Sequence, residues 1–283
     1  MACSIQDTNI EVEQSVTSKS SSDDSQLQNF TLLSWNIDGL DGKDLQERSL
    51  AVIQLINTHK PDIVFLQEVV PQSHLLIAKR CIAYKCIFCR YTSTYYNAIL
   101  LLKDRVKVAG EHGTIPFQGS IMGRHYIFCD VSICSNQPIR VITTHLESTK
   151  DIGPTLIRRD QLGLMSNLIS KLNIPCIFGG DLNLRDEDVK EAGLSPAIQD
   201  VWEYMGSEKE HEYTWDTSVN NNLGVHFKAK LRFDRLLFSH PDGLAVGMQV
   251  LPMKFELVGK EKLPCGRFPS DHWGICAGFM LIF

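Results

Sequence analysis

The sequence predicts an α/β protein built as a layered sandwich. Apolar runs typical of buried strands outnumber amphipathic helical stripes by roughly two to one. The helical stripes are interleaved with strands early in the chain and become sparse later, unlike the regular alternation of a doubly wound sheet. Polar residues directly follow several apolar runs. We therefore expect one edge of the sandwich to be rich in polar groups.

Four segments are predicted to be helical. Residues 44–59 carry their apolar positions in a helical stripe, and Pro61 ends that helix. Residues 71–81 open with proline, which suits the first turn of a helix. Residues 155–171 form a third helix, and residues 195–205 form a shorter fourth one.

The predicted strands are apolar and separated by turn-forming residues. A turn at residues 266–272, GRFPSDH, precedes the last strand. The strands cover residues 30–35, 62–66, 85–89, 98–102, 126–134, 139–144, 176–178, 231–239 and 273–283.

The chain divides into a tail and one domain. Residues 1–29 are rich in Ser, Gln, Asp and Thr, and such a segment buries too little apolar surface to fold. We predict a disordered tail there and a single domain over residues 30–283. The tail holds five acidic residues against one lysine, out of a net charge of −5. The nearly neutral domain can still carry a locally basic surface, so the charge does not exclude DNA binding.

The composition argues against a membrane span, a disulfide framework and a zinc site. No apolar run approaches the ~20 residues that a spanning helix needs, and no basic-then-apolar leader is present. The nine cysteines are therefore interpreted as intracellular thiols. Cys81, Cys86 and Cys89 lack a second Cys/His pair at zinc-binding spacing.

Residues 175–186, PCIFGGDLNLRD, are the most informative stretch of the chain. A short apolar strand leads into two glycines and then into Asp181 and Asn183. If strand geometry continues through Asn183, both side chains point to the same side. A carboxylate beside a carboxamide suits the activation of water against an anionic substrate. A tight turn without chemistry is the alternative, because Gly, Asp and Asn dominate turns.

Similar polar groups recur at the ends of other predicted strands. A carboxylate inside the apolar strand 231–239, Asp234, is costly unless it is paired. Each residue alone can be a solvated strand end, a core histidine or a turn cap. Because strand ends of a sandwich cluster at one edge, we expect the set to converge on one pocket. The set comprises Asn36 with Asp38, Glu68, His145 with Glu147, Asp181 with Asn183, and Asp271 with His272.

Six motifs then connect the chain to a known family. They are SWNIDGL, FLQEV, THLES, GGDLN, LRFDRLLFS and SDHWG. In this order they resemble the endonuclease/exonuclease/phosphatase superfamily over essentially all of residues 30–283. YTWDT and CGRFPSDHWG resemble the branch of that superfamily that hydrolyses 5′-phosphotyrosyl bonds on DNA. The resemblance implies that residues 30–283 form a catalytic domain, a four-layered αββα sandwich of two mixed β-sheets flanked by helices.

The resemblance also implies a metal site at one edge of the sandwich. Mg²⁺ is the expected ion, with Mn²⁺ able to substitute for it. Magnesium takes oxygen ligands and keeps several waters, so one direct carboxylate is enough. Glu68 matches the direct ligand, with Asn36 and Asp271 expected nearby through water.

The remaining strand-end residues match catalytic positions of the family. Asp181 is expected to orient or deprotonate the attacking water, and Asn183 to position that water or the phosphate. His145 and His272 are expected to donate hydrogen bonds to the phosphoryl oxygens, and Asp234 to orient His272. A phenol has a pKa of about 10, so no dedicated general acid is expected for a tyrosine leaving group.

A second group of residues matches DNA-binding positions. Trp215 resembles a base-stacking residue, with a core aromatic as the alternative interpretation. Arg185, Leu223 and Phe233 match positions that line the groove for a DNA 5′ end. Contacts near the phosphates are expected from Ser148, Lys150 and Arg235, where Lys150 replaces an expected arginine and weakens a bidentate contact.

These matches lead to an expected function. The substrates would be DNA 5′ ends carrying tyrosyl or topoisomerase II adducts, and the product would be a 5′-phosphate end for double-strand break repair. We expect a monomer without membrane contact, in the nucleus and also in the cytoplasm. Two alternatives stay open: a structure-specific or apurinic DNA endonuclease of the same superfamily, and a non-catalytic adaptor that keeps the fold to bind partners.

Overall fold

The computed structural model describes residues 28–89, 94–133, 137–240 and 248–283. Most of the predicted tail, residues 1–29, lies outside this part of the chain, and the first strand begins at Gln28. The described strands form two six-stranded mixed sheets and one two-stranded ribbon. None of the helices in these ranges has the length and apolar character needed to cross a membrane.

Helices alternate with strands in the first half of the chain, and strands dominate the second half. The first half comprises β1 (Gln28–Asn36), α1 (Leu45–His59), β2 (Ile63–Val69), α2 (Pro71–Arg80), β3 (Tyr84–Phe88), β4 (Tyr96–Leu102), β5 (Val106–Pro116), β6 (His125–Ile133) and β7 (Ile139–His145). The second half comprises α3 (Ile152–Ile169), β8 (Cys176–Asp181), α4 (Asp186–Ala192), β9 (Ile198–Asp200), α5 (Val201–Tyr204), a 3₁₀ turn at Lys209–His211, β10 (Trp215–Asp216), β11 (Lys230–Leu231), β12 (Asp234–Ser239), β13 (Gln249–Val258) and β14 (Gly274–Ile282).

The two large sheets pack face to face. The first has the order β13-β14-β1-β2-β4-β3, and the second has the order β5-β6-β7-β8-β12-β9. β1 and β2 are parallel, as are β7 and β8, whereas the other pairs are antiparallel. β1 contacts β8 across the interface, and β2 contacts β7. The parallel pair of one sheet therefore lies over the parallel pair of the other.

Three apolar layers explain why the central strands are apolar along their whole length. Along β8, Ile177 packs between the sheets, whereas its neighbours Cys176 and Phe178 pack toward α3. This is the alternation that a strand buried on both faces requires. The first sheet packs in the same way against α1 and α2, through Trp35 and Ile56 among others. The layers are helix, sheet, sheet and helix, so the predicted αββα sandwich is confirmed.

The predicted elements differ from the observed ones mainly in the second half. The segment predicted as helix 195–205 is β9 followed by α5. Asp200 ends the strand and begins the helix, because its side chain accepts hydrogen bonds from the N–H groups of Trp202 and Glu203. The predicted strand 231–239 is divided between β11 and β12, so Asp234 begins a strand instead of lying within one. The elements β5, α4 and β13 were not predicted, nor were the short β10 and the 3₁₀ turn.

Candidate active site

Strand ends bring the predicted catalytic side chains to one edge of the sandwich. β7 and β8 run parallel with His145 opposite Asp181. β12 runs antiparallel to β8 with Asp234 opposite the same Asp181. β1, in the facing sheet, ends at Asn36, whose side chain reaches Asp181 across the interface. The expected convergence of strand ends is therefore observed for these four residues.

Glycine is required where β8 approaches its neighbours. Gly180 has a φ of 137°, and a Cβ there would lie 2.1 Å from the main-chain oxygen of Thr144. This conformation is open to glycine and rarely to other residues. β8 continues through Asp181, so the segment up to that residue is a strand and not the tight turn left open as an alternative.

Asn183 departs from the expected strand geometry. Its φ is 51°, because the chain turns directly after Asp181. Its main-chain N–H donates to Oδ1 of Asp181 at 3.0 Å, and its side-chain Nδ2 donates to the main-chain oxygen of Leu146 at 3.3 Å. The two side chains lie together at the edge, but a turn and not a continuing strand brings them there.

Asp181 is the centre of the site. It is buried, and its Oδ2 accepts a hydrogen bond from Nδ2 of Asn36 at 2.9 Å. Nε2 of His145 lies 3.2 Å from the same oxygen, and Nε2 of His272 lies 3.8 Å away. Burial alone would raise the pKa of Asp181, but the two imidazoles and the bond from Asn36 lower it well below its usual range. Asp181 is therefore an ionised carboxylate between two potential cations.

His272 is held between carboxylates. Its Nδ1 lies 2.8 Å from Oδ2 of Asp234, and its Nε2 points toward Asp181 and toward Asp271, at 3.9 Å. Burial opposes the imidazolium, but the charges of Asp234, Asp271 and Asp181 raise the pKa of His272 well above its usual value. The arrangement fits the predicted role of Asp234, because a carboxylate at Nδ1 directs the Nε2–H toward the site.

Two sets of side chains at this edge could hold a metal ion. Asp181, Asp234 and His272 place ligand atoms within 4.8 Å of one another, although Nδ1 of His272 is already bonded to Asp234. Glu68 and Asp271 offer carboxylate oxygens alone, which a hard cation prefers. The donors present therefore fit a metal ion, and the oxygen set fits magnesium better than the set that includes an imidazole.

The charge gathered around Glu68 and Asp271 supports a cation there. Burial and the negative charges of Asp271 and Glu68 raise the pKa of Asp38 to about 8, although Arg48 at 3.1 Å opposes the shift. Glu68 itself has a φ of 55°, at an irregularity where the pairing of β2 with β4 shifts between Leu66 and Val69. The carboxylate of Glu68 lies at the edge beside Asn36, whose Nδ2 is 3.2 Å from Oε1.

Asn36 contacts the site through its amide nitrogen. Its Oδ1 accepts a hydrogen bond from the main-chain N–H of Asp38 at 3.0 Å, which orients the amide. Its Nδ2 then donates to Oε1 of Glu68 at 3.2 Å as well as to Asp181. In this orientation Asn36 positions the two carboxylates, and its oxygen is occupied by the N–H of Asp38.

The predicted DNA-binding aromatics form a connected surface beside His272. The Trp215 and Phe233 rings are 5.6 Å apart, and Phe233 lies 6.4 Å from the His272 ring. The Arg185 guanidinium sits over Phe233 at 5.5 Å. Nε1 of Trp215 donates to Oδ2 of Asp271 at 3.1 Å, so the indole is tied to the site. Trp215 is therefore not a core aromatic.

Other predicted contact residues occupy different environments. Leu223 and Lys150 are exposed, in the loops before β11 and α3, respectively. Ser148 is half-buried, and its Oγ lies 3.3 Å from Sδ of Met122. Arg235 is buried, with its guanidinium 2.6 Å from Asp186 and 3.5 Å from Asp200. Arg235 is thus engaged in ion pairs with two carboxylates, and its contact with a phosphate stays a prediction.

Sequence reasoning missed Arg124. Its side chain is buried, with the guanidinium 5.4 Å from the centre of the Tyr95 ring. Tyr95 in turn lies 6.2 Å from the His145 ring. Nε and Nη1 of Arg124 have no hydrogen-bond partner within the described part of the chain. The signal that was missed is the position of Arg124 directly before β6. Because β6 is antiparallel to β7, the first residues of β6 lie beside the last residues of β7, at the active-site edge.

Glu147 shapes the loop that carries Arg124. Its Oε1 accepts hydrogen bonds from Oγ of Ser120 at 2.5 Å and from the main-chain N–H groups of Ile121 at 2.9 Å and Met122 at 3.3 Å. Oγ of Ser120 accepts one from the N–H of Arg124 at 2.7 Å. Glu147 belongs to the polar edge as predicted, but it holds the loop and does not face the catalytic centre.

Known proteins are similar to this chain in both sequence and fold. The chain matches the model of the Endonuclease/Exonuclease/phosphatase family over residues 33–272. It is 40% identical over 282 residues to Tyrosyl-DNA phosphodiesterase 2 of Homo sapiens, covering 97% of this chain and 76% of that protein. A crystal structure of D. rerio TDP2 complexed with single strand DNA product has a TM-score of 0.83 at 35% identity, covering 89% of this chain and 99% of that one. Truncated Caenorhabditis elegans TDP2 has a TM-score of 0.78 at 38% identity, covering 89% and 97%. The chain therefore belongs to the Endonuclease/Exonuclease/phosphatase family.

Proposed function

We propose that this protein is a Mg²⁺-dependent phosphodiesterase that hydrolyses the bond between a tyrosine and a DNA 5′ phosphate. The observation that carries the proposal is the ionised Asp181 between the imidazoles of His145 and His272, flanked on one side by the Trp215–Phe233 surface. The relatives named above, including one whose structure contains a DNA product, support the same substrate class.

Hydrolysis in one step fits the groups at the edge. Asp181 accepts a hydrogen bond from the attacking water and directs its oxygen at phosphorus, with Asn183 beside it. His272, charged and oriented by Asp234, donates to a phosphoryl oxygen as negative charge builds there. His145 is placed to donate in the same way from the other side of Asp181. The structure thus supplies an acceptor for water and donors for the phosphoryl group.

The metal would be held by the oxygen set. Glu68 is the direct ligand in this proposal, Asp271 lies beside it, and Asn36 positions the carboxylate of Glu68. When bound, the ion would polarise the phosphate and stabilise the charge that develops on the departing phenolate.

The two partners of the scissile bond have separate places. Bases near the 5′ end stack on Trp215 and Phe233 on the β12 side of the site, and such stacking tolerates any base sequence. The tyrosine lies on the side of Tyr95 and Arg124, where Nε and Nη1 of the buried guanidinium have no hydrogen-bond partner among the described residues. A tyrosine leaves as a phenolate with a pKa of about 10, so the reaction needs no dedicated general acid.

The cellular role follows from the substrate class. We infer that the adducts arise from trapped topoisomerase II and that hydrolysis yields 5′-phosphate ends for double-strand break repair. We propose that the protein acts in the nucleus, is also present in the cytoplasm, and is a monomer.

Release of tyrosine from a 5′-tyrosyl oligonucleotide tests the proposal. Wild type and Asp181→Asn are compared with Mg²⁺ and with EDTA, and the DNA product is tested for a 5′ phosphate. We expect metal-dependent release by wild type and a loss of about 10²-fold or more in the variant. Cleavage of plain or abasic DNA without tyrosine release would assign an endonuclease. Absence of any phosphodiesterase activity would assign an adaptor.

A further inference from the structure

We propose that the groove between the open edges of β3 and β5 binds the polypeptide attached to the substrate tyrosine. This inference rests on the proposed function and extends it from the tyrosine to the protein side of the adduct. The groove, called here the edge groove, has a volume of about 830 Å³. Among its lining residues are His74, Lys85, Ile87, Phe88, His112 and Thr114.

The order of the strands places this groove opposite the DNA-binding surface. β3 is the edge strand of the first sheet and β5 is the edge strand of the second. The Trp215–Phe233 surface lies at the other end, beside β12 and β14. The phosphate of the substrate is esterified on one side to DNA and on the other to the tyrosine of the polypeptide. If the DNA is bound on the β12 side, the polypeptide extends toward β3 and β5.

Contacts connect the catalytic centre to the edge groove. Tyr95 lies 6.2 Å from the His145 ring, and the hydroxyl of its neighbour Tyr96 lies 2.7 Å from Nδ1 of His74. The His74 ring stacks on Phe88 at 3.6 Å. Tyr96, His74 and Phe88 therefore form an aromatic cluster at the groove, and the chain leads directly from this cluster to Tyr95 beside His145.

The pairing register gives the depth of the groove. Tyr96 pairs with Val69 at the active-site edge, whereas Phe88 pairs with Ala98 and Lys85 pairs with Leu101. At ~3.3 Å per residue, the groove extends from ~7 Å to ~17 Å below that edge. This span accommodates about four residues of an extended peptide.

Open strand edges suit a peptide ligand. Within the described residues, β3 pairs with β4 alone and β5 pairs with β6 alone, so each presents unpaired main-chain groups. An extended peptide can add to such an edge through main-chain hydrogen bonds, whatever its side chains. β5 is irregular between Val108 and His112, but its pairing is continuous from His112 to Pro116. An irregularity of this kind discourages the pairing of a further strand, but in β5 it lies at the end of the groove far from the active site. The part of β5 near the active site is regular.

A pair of substrates tests the inference. One oligonucleotide carries tyrosine alone at its 5′ phosphate, and the other carries the same tyrosine within a peptide of about ten residues, long enough to reach the groove. We expect the peptide substrate to have a several-fold lower KM and a similar kcat, with the gain lost when the peptide amides are N-methylated. Anisotropy measurements in EDTA give the two binding constants without turnover.

Variants of β5 separate the groove from the catalytic site. Thr114→Arg places a long side chain in the groove and should remove the lower KM of the peptide substrate. Ala109→Arg adds the same charge at an exposed position of the same strand outside the groove, and it should leave that lower KM unchanged. Equal KM and Kd for the two substrates would overturn the inference. So would an effect of Thr114→Arg on both substrates alike, which would assign the groove to DNA. If peptide-dependent binding persists but no tyrosine is released from either substrate, the proposed hydrolysis is refuted, whereas the binding of the polypeptide in the edge groove is supported.

Discussion

Replacing Asp234 by asparagine isolates the contribution of one carboxylate to the charge and orientation of His272. The two side chains are both buried and are joined by a 2.8 Å contact between Oδ2 and Nδ1. Asparagine has nearly the same shape but carries no charge, and so it no longer favours the imidazolium. We expect a His272 that is more often neutral and less able to donate to the phosphoryl group.

The size of the loss can be derived from that one contact. A hydrogen bond to a charged group contributes about 1.5–3 kcal/mol. If this energy is realised in the transition state, kcat should fall by about 10- to 150-fold, at 1.36 kcal/mol for each factor of ten. The KM for DNA should change little, because Asp234 does not belong to the stacking surface.

The assay is steady-state release of tyrosine from the 5′-tyrosyl oligonucleotide, with thermal unfolding measured in parallel. Asp130→Asn is the matched control, because Asp130 on β6 is also a buried carboxylate, bonded to Arg140 at 2.6 and 2.7 Å. Arg140 lies near the end of β7 remote from His145, so the control should lower stability and leave kcat unchanged. A kcat within twofold of wild type for Asp234→Asn would refute the role given to Asp234.

Three further substitutions test the surface, the loop and the turn of the site. Trp215→Ala should raise the KM for DNA by an amount corresponding to about 1–3 kcal/mol of lost stacking, and Trp215→Phe should raise it less. An unchanged KM in Trp215→Ala would exclude stacking on this residue. Glu147→Ala removes the acceptor of partly buried hydrogen bonds from Ser120, Ile121 and Met122, which should lower the free energy of unfolding in urea by about 1 kcal/mol or more and raise KM. Unchanged values of both would contradict the role of Glu147 in the loop. Gly180→Ala brings a Cβ to within 2.1 Å of the Thr144 oxygen, so we expect the free energy of unfolding in urea to fall by more than about 2 kcal/mol. Gly119→Ala is the control with open space around its Cβ, and its free energy of unfolding should fall less.

Much of the site could be predicted because its chemistry follows directly after apolar strands. Asn36, Glu68, His145 and Asp181 each come within one residue of a buried run, and parallel strands carry such residues to a common edge. The elements that were missed lack this signal. β5 is exposed along most of its length and contains two glycines, so it shows neither the apolar run nor the alternation by which a strand is recognised.

The sequence by itself determined the layered α/β class, the family and the set of polar strand ends, because each depends on local order along the chain. Tertiary structure alone decided which partner each charged side chain contacts. Arg235 and Arg185 each lie close to a predicted catalytic acid in the sequence, yet the first is buried against Asp186 and Asp200 and the second lies over Phe233. It also decided that Asp234 lies opposite Asp181 and that Arg124 approaches Tyr95. The physical reason is that pKa values, ion pairs and ligand surfaces depend on distances between residues far apart in the chain, and strand register sets those distances.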